Sequence, residues 1–143
     1  MKKIIKPLIV FIFGIISGYY ICDTNYIKDI FKNTYKAFQI GVYTNLDTAN
    51  IYSEKIKDSI IVKDNELYRV YAAILKNQDN IDSMSKYLNN HNIEYYLKDI
   101  EISDKRLISE INEYENIMDS NNEVVFLEIN KMIMETYKES LWN

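Results

Sequence analysis

The stretch Tyr35–Tyr43, reading Tyr-Lys-Ala-Phe-Gln-Ile-Gly-Val-Tyr, alternates in polarity around a Gln-x-Gly-x-Tyr core. A period of two marks a half-buried strand. Phe38, Ile40 and Val42 then share one face, and Gln39, Gly41 and Tyr43 share the other. An amide, a missing side chain and a phenol are poor core material. They make a flat surface for an extended polar ligand. Gly41 is also the only glycine after Gly18.

The segments that follow alternate in type. After the strand Ala37–Tyr43, Asn45 caps a helix predicted to run to about Lys57, with Leu46, Ala49, Tyr52 and Ile56 on one face. Ser59–Lys63 is β-branched and short, Asp64-Asn65 is a hairpin turn, and Leu67–Ile74 is the next strand. Asn77 caps a second helix to about Asn90, with Ile81, Met84 and Leu88 inward, and Ile93–Ile100 is a last strand. The order β-α-β-β-α-β predicts an α+β, ferredoxin-like fold: a four-stranded antiparallel sheet with both helices on one face and the other face open.

Alternation assigns the open face. On the third strand Tyr68, Val70 and Ala72 suit the helix side, leaving Leu67, Arg69 and Tyr71 opposite. On the last strand Ile93, Tyr95 and Leu97 read as core, leaving Glu94, Tyr96 and Lys98. The face therefore collects Gln39, Tyr43, Arg69, Tyr71 and Tyr96. Rings suit sugar faces, and amide and guanidinium groups suit hydroxyl and acetamido groups. A solvated sheet face in a tyrosine-rich chain accounts for the same set.

Charge narrows the partners. The formal balance is −4, but removing Lys2, Lys3 and Lys6 leaves 14 basic against 21 acidic side chains in residues 23–143, or −7. Phosphate binding needs a basic face, so nucleic acid is not an expected partner. The single cysteine, Cys22, rules out an internal disulfide and a cysteine-based zinc site.

Residues 1–22 read as a cytoplasmic tip and a transmembrane helix. Pro7–Cys22 carries no charge, and Ile4–Cys22 as a helix would rise about 28 Å, close to the hydrocarbon thickness. Lys2, Lys3 and Lys6 before the run place the N-terminus inside and the rest outside. Bulky Tyr19, Tyr20 and Ile21 leave no small-x-small cleavage site, so the segment is expected to stay as a single-pass anchor in the cell membrane. Residues 23–34 are a short spacer.

Phe38–Tyr43, the helix start at Asn45–Ala49 and the run Tyr68-Arg69-Val70-Tyr71-Ala72-Ala73 together resemble a SPOR domain, over about residues 35–102. The family's first strand carries Gln-x-Gly-x-aromatic and its third carries Arg-Val. The resemblance implies the β-α-β-β-α-β fold, and binding of septal peptidoglycan, preferring glycan strands stripped of stem peptides, on the open sheet face. It also implies a role at bacterial cell division or sporulation behind a membrane helix. It makes Gln39 and Arg69 the leading glycan contacts, with Gly41, Tyr43, Leu67, Tyr71 and Tyr96 around them; position 67 is aromatic in some members. Two departures stand out. Ala73-Ile74 replaces the family's Gly-Pro, and His91-Asn92 replaces the glycine before the last strand. Asn92 is a residue that tolerates the left-handed conformation.

Catalytic and metal motifs are not recognisable. His91 has no nucleophile or carboxylate at a motif spacing, the acids show no calcium-loop pattern, and no phosphate-binding glycine loop occurs. A non-catalytic protein without cofactor or metal is expected. Residues 103–143 read differently, as two amphipathic helices. Ser103 caps one bearing Leu107, Ile111, Tyr114 and Ile117. Ser120–Glu123 is a capping box for a second, bearing Val125, Phe126, Ile129, Met132, Ile133 and Tyr137, then Leu141 and Trp142. Such a hairpin either packs on its own domain or docks a division or sporulation protein. The alternative function is thus a membrane-anchored scaffold binding a protein through these helices. A hairpin lying over both Tyr71 and Tyr96 would weigh against glycan binding.

Overall fold

The computed structural model describes residues 33–54 and 56–141. The expected membrane segment and most of the spacer lie outside them. Among the described residues no helix is long and apolar enough to cross a membrane. Asn33–Asn143 form one compact unit.

The elements are β1 (Thr34–Tyr43), α1 (Leu46–Ser53), β2 (Ile60–Asp64), β3 (Leu67–Leu75), α2 (Gln78–Asn90), β4 (Tyr96–Glu101), α3 (Lys105–Ile117) and α4 (Glu123–Ser140). The fold is α+β, with one four-stranded antiparallel sheet in the order β2-β3-β1-β4. β1 and β2 run parallel on either side of β3, as β3 and β4 do on either side of β1. Crossovers between such parallel pairs are right-handed as a rule, which would put α1 and α2 on one face of the sheet. Tyr52 of α1 stacks on Tyr43 of β1 at 5.0 Å between ring centroids, which identifies that face.

Local chemistry sets the ends. The Asn45 side chain accepts from Asp47 N at 2.7 Å, and that of Asn77 accepts from Asp79 N at 2.9 Å, so both caps stand where the sequence puts them. α1 stops at Ser53, short of the expected Lys57, and the chain turns through Asp58 at φ 65 into β2. Past α2, Asn92 takes φ 55, its N–H reaches Asn89 O, and Ile93 N reaches Leu88 O at 2.9 Å. This is a Schellman closure with asparagine in the glycine position. It delays β4 to Tyr96 rather than the expected Ile93. The N-caps of α3 and α4 are Asp104 and Asn122 in place of the expected Ser103 and Ser120.

The C-terminal hairpin shares the core of the sheet. Leu107, Ile111, Phe126, Ile129, Ile133 and Met134 are buried in one cluster with Tyr35, Ala37, Phe38, Ile74 and Leu75. The inward stripe of α4 runs through Phe126, Ile129, Asn130, Ile133 and Met134, leaving the expected Val125 and Met132 exposed. Buried polar contacts also fix the hairpin. Buried Glu115 of α3 accepts the backbone N–H groups of Lys76 and Asn77 at 3.0 and 2.9 Å. Buried Asn130 of α4 donates to the Ala72 carbonyl at 3.0 Å, one residue beyond the last β2–β3 pair. An unpaired strand carbonyl there would carry the cost of burial without a partner.

Candidate functional site

The sheet face turned away from α1 is identified by its pairings. Gln39 lies opposite Tyr96 of β4 and opposite Tyr71 of β3. Its Oε1 accepts from Arg69 Nη1 at 3.0 Å. Arg69 Nε donates to Asp64 Oδ2 at 2.6 Å, and Lys98 Nζ stands 3.5 Å from the same oxygen. Gln39, Asp64, Arg69 and Lys98 thus form one polar network, with the Tyr96 ring beside it 66 % exposed. The hydrogen bond from Arg69, helped by Lys98, holds the Asp64 carboxyl below its ordinary range.

The sequence alternation breaks inside β1. Ala37 faces Ile74, Gln39 faces Tyr71, and Gly41 faces Val70, so β3 first carries an extra residue and β1 then carries one. Such bulges shift the side-chain phase. Beyond the second irregularity Val42, opposite Arg69, comes to the open face and is 39 % exposed. Gly41 and Tyr43 turn to the helix side, against the expectation that both line the open face. A Cβ on Gly41 would sit 2.5 Å from the Tyr43 ring, so the missing side chain makes room for that tyrosine. A glycine inside a strand is itself a bulge signal, and this was the clue available in the sequence.

The hairpin divides the open face. Tyr71 does lie on it, but is only 3 % exposed. Tyr71 is buried in one cluster with Ile133 and Met134 of α4, and Tyr137 packs against that cluster; burial raises the Tyr71 and Tyr137 phenols above their ordinary pKa, and the nearby Tyr71 adds to the effect on Tyr137. At the far end Tyr35 is fully buried and donates to Asn112 of α3 at 3.3 Å. Burial, then the Glu115 charge, pushes its phenol up to about 12. Of the expected site residues, Gln39, Arg69, Leu67 and Tyr96 remain on the free half, while Tyr71, Tyr43 and Gly41 do not. Asp64 belongs to the cluster and was read as a turn residue only.

Among the described residues no three His, Cys, Asp or Glu side chains come together as a metal site. No protein-family model matches the chain, and no curated protein or solved structure is significantly similar to it.

Proposed function

We propose that this protein is a membrane-anchored, non-catalytic module that binds peptidoglycan glycan strands, in the manner of the SPOR domains its first and third strands resemble. The observation that carries the reading is the network of Gln39, Arg69, Asp64 and Lys98 beside the exposed Tyr96 ring. Donors held in place by an internal partner lose little freedom when a ligand arrives. The ring supplies an apolar plate for a sugar face. The strand order and the placement of α1 and α2 fit a ferredoxin-like sheet with a face left for ligand. The basic N-terminus before an apolar run supports a domain on the outer side of the cell membrane, and the resemblance to SPOR domains adds the division septum or the developing spore as its place of action.

Retention on purified sacculi, with and without prior amidase treatment, tests this. Amidase-treated sacculi should retain the protein more strongly. Equal and negligible retention on both would sink the glycan reading. A cytoplasm-active reporter fused after Asn143 should stay silent; a bright signal would overturn the topology.

One observation favours a second reading, a scaffold for a protein partner. Ile117 and Val124, which flank the α3–α4 turn, are 61 % and 71 % exposed. If the protein reaches the septum with Gln39 and Arg69 both replaced, this turn becomes the leading contact.

A further inference from the structure

We propose that the open face selects an acidic glycan: Arg69 and Lys98 take a carboxylate borne by an N-acetylated hexosamine, in preference to a neutral substituent at the same place. The inference rests on the glycan reading and names the group on the sugar that the sheet recognises.

What the polar network leaves over carries the argument. A guanidinium only donates, so the Gln39 amide turns its oxygen to Arg69 Nη1 at 3.0 Å and keeps its NH2 group for a ligand. Asp64 is engaged at both oxygens. Its Oδ2 accepts from Arg69 Nε at 2.6 Å and from Lys98 Nζ at 3.5 Å, and its Oδ1 accepts from Asn65 Nδ2 at 3.2 Å. The acceptors are therefore met within the protein. The groups with hydrogens to spare are the Gln39 NH2, the remaining N–H groups of Arg69 and the Lys98 ammonium. A surface whose spare groups are donors calls for an acceptor.

Charge sharpens the choice. Two cations share one carboxylate, so the network holds one positive charge in excess, although residues 23–143 as a whole carry 14 basic against 21 acidic side chains. Asp99, next to Lys98 on β4, is paired with Lys36 and does not offset the surplus. Lys98 is also the looser partner of Asp64: it reaches across the face from one edge strand to the other and ends at 3.5 Å, where Arg69 holds Asp64 at 2.6 Å. With a third of its side chain exposed, the ammonium can turn to an incoming anion while Arg69 keeps Asp64 in place. Lys98 follows Tyr96 by two residues on β4, about 7 Å along the same face, so a sugar resting on the exposed Tyr96 ring brings its substituent within reach. Hydrolysis of the amide that joins a stem peptide to the glycan produces such a ligand. It leaves a carboxylate where the intact strand has a neutral amide.

Calorimetry of the detergent-solubilised full chain reads this with two probes. One is glycan released by amidase; the other is the same glycan with its carboxylates converted to primary amides by carbodiimide and ammonia. The acidic strands should bind roughly tenfold more tightly at low salt, and the gap should narrow as salt is raised, because the cations are partly exposed. Lys98→Met and Arg69→Gln should each shrink the preference to about threefold or less. The ratio is read within one variant, so a general loss of affinity does not imitate it. Equal affinity for the two probes would overturn the carboxylate inference and leave the glycan reading standing. A full preference in both variants would move the carboxylate off this network and overturn the proposal. Binding of neither probe would remove the glycan reading itself, and the inference with it.

Discussion

Arg69 Nη1 donates to Gln39 Oε1 at 3.0 Å, joining side chains 30 positions apart in the sequence. The contact orients the amide, and the bond from Arg69 Nε to Asp64 orients the guanidinium in turn. Arg69→Ala should weaken retention on amidase-treated sacculi roughly tenfold or more, since hydrogen bonds to a charged group contribute ~1.5–3 kcal/mol. Arg69→Lys should recover little, because an ammonium cannot reproduce the planar fork. Tm should fall by no more than about 5 °C in either variant, the pair being partly exposed. A collapse of Tm in Arg69→Ala would make the residue a structural one.

Gly41 serves Tyr43 rather than a ligand. Gly41→Ala drives a methyl into the Tyr43 ring and should disturb its stack on Tyr52. A loss of roughly 1–3 kcal/mol in chemical denaturation is expected. Replacing Tyr43 by Ala in the same chain should remove most of the extra penalty, as a double-mutant cycle would show. Glycan retention by the folded Gly41→Ala protein should match wild type. Selective loss of binding with unchanged stability would return Gly41 to the ligand face.

Glu115 ties the hairpin to the start of α2. Its carboxylate meets two backbone N–H groups at a helix N-terminus while the side chain is buried. Glu115→Ala leaves those donors without a partner and should cost about 2–4 kcal/mol in urea denaturation. Glu115→Gln keeps an acceptor oxygen and should cost clearly less. Equal stability of Glu115→Ala and wild type would show that the hairpin is held by apolar packing alone.

Alkaline pH should loosen the same interface. The Tyr35 phenol is neutral in the folded protein with its pKa pushed up to about 12, against 10.0 ordinarily. Its contribution to stability is complete below pH 10 and is lost as pH rises through the folded value. Stability measured by denaturation should therefore decline above pH 10, and Tyr35→Phe should make that decline shallower. Tyr43, Tyr71, Tyr87 and Tyr137, whose pKa values are also raised by burial, add to the decline. An identical decline in Tyr35→Phe would exclude Tyr35 as a contributor.

What the sequence determined by itself was local. Asn45 and Asn77 cap their helices because a short side-chain oxygen reaches the first free N–H groups within its own turn. Asn92 takes the left-handed position because it is the residue there that tolerates it. Arg69 reaches the open face because alternation holds through the regular pairing of β2 with β3, and Gln39 reaches it because β1 keeps an unbroken register with β4 from Thr34 to Gln39. Tertiary structure decided the rest. The phase change that turns Gly41 and Tyr43 away depends on where β1 and β3 each carry an extra residue, a property of two strands together. The cover on Tyr71 depends on how a hairpin from residues 103–143 meets the far side of the sheet. That choice follows from matching a broad apolar stripe to Tyr35, Ala37 and Ile74, and from buried Glu115 and Asn130 finding backbone partners more than thirty residues away. Amphipathic periodicity shows that a helix buries a face, but the surface it buries that face against is set by the assembled fold.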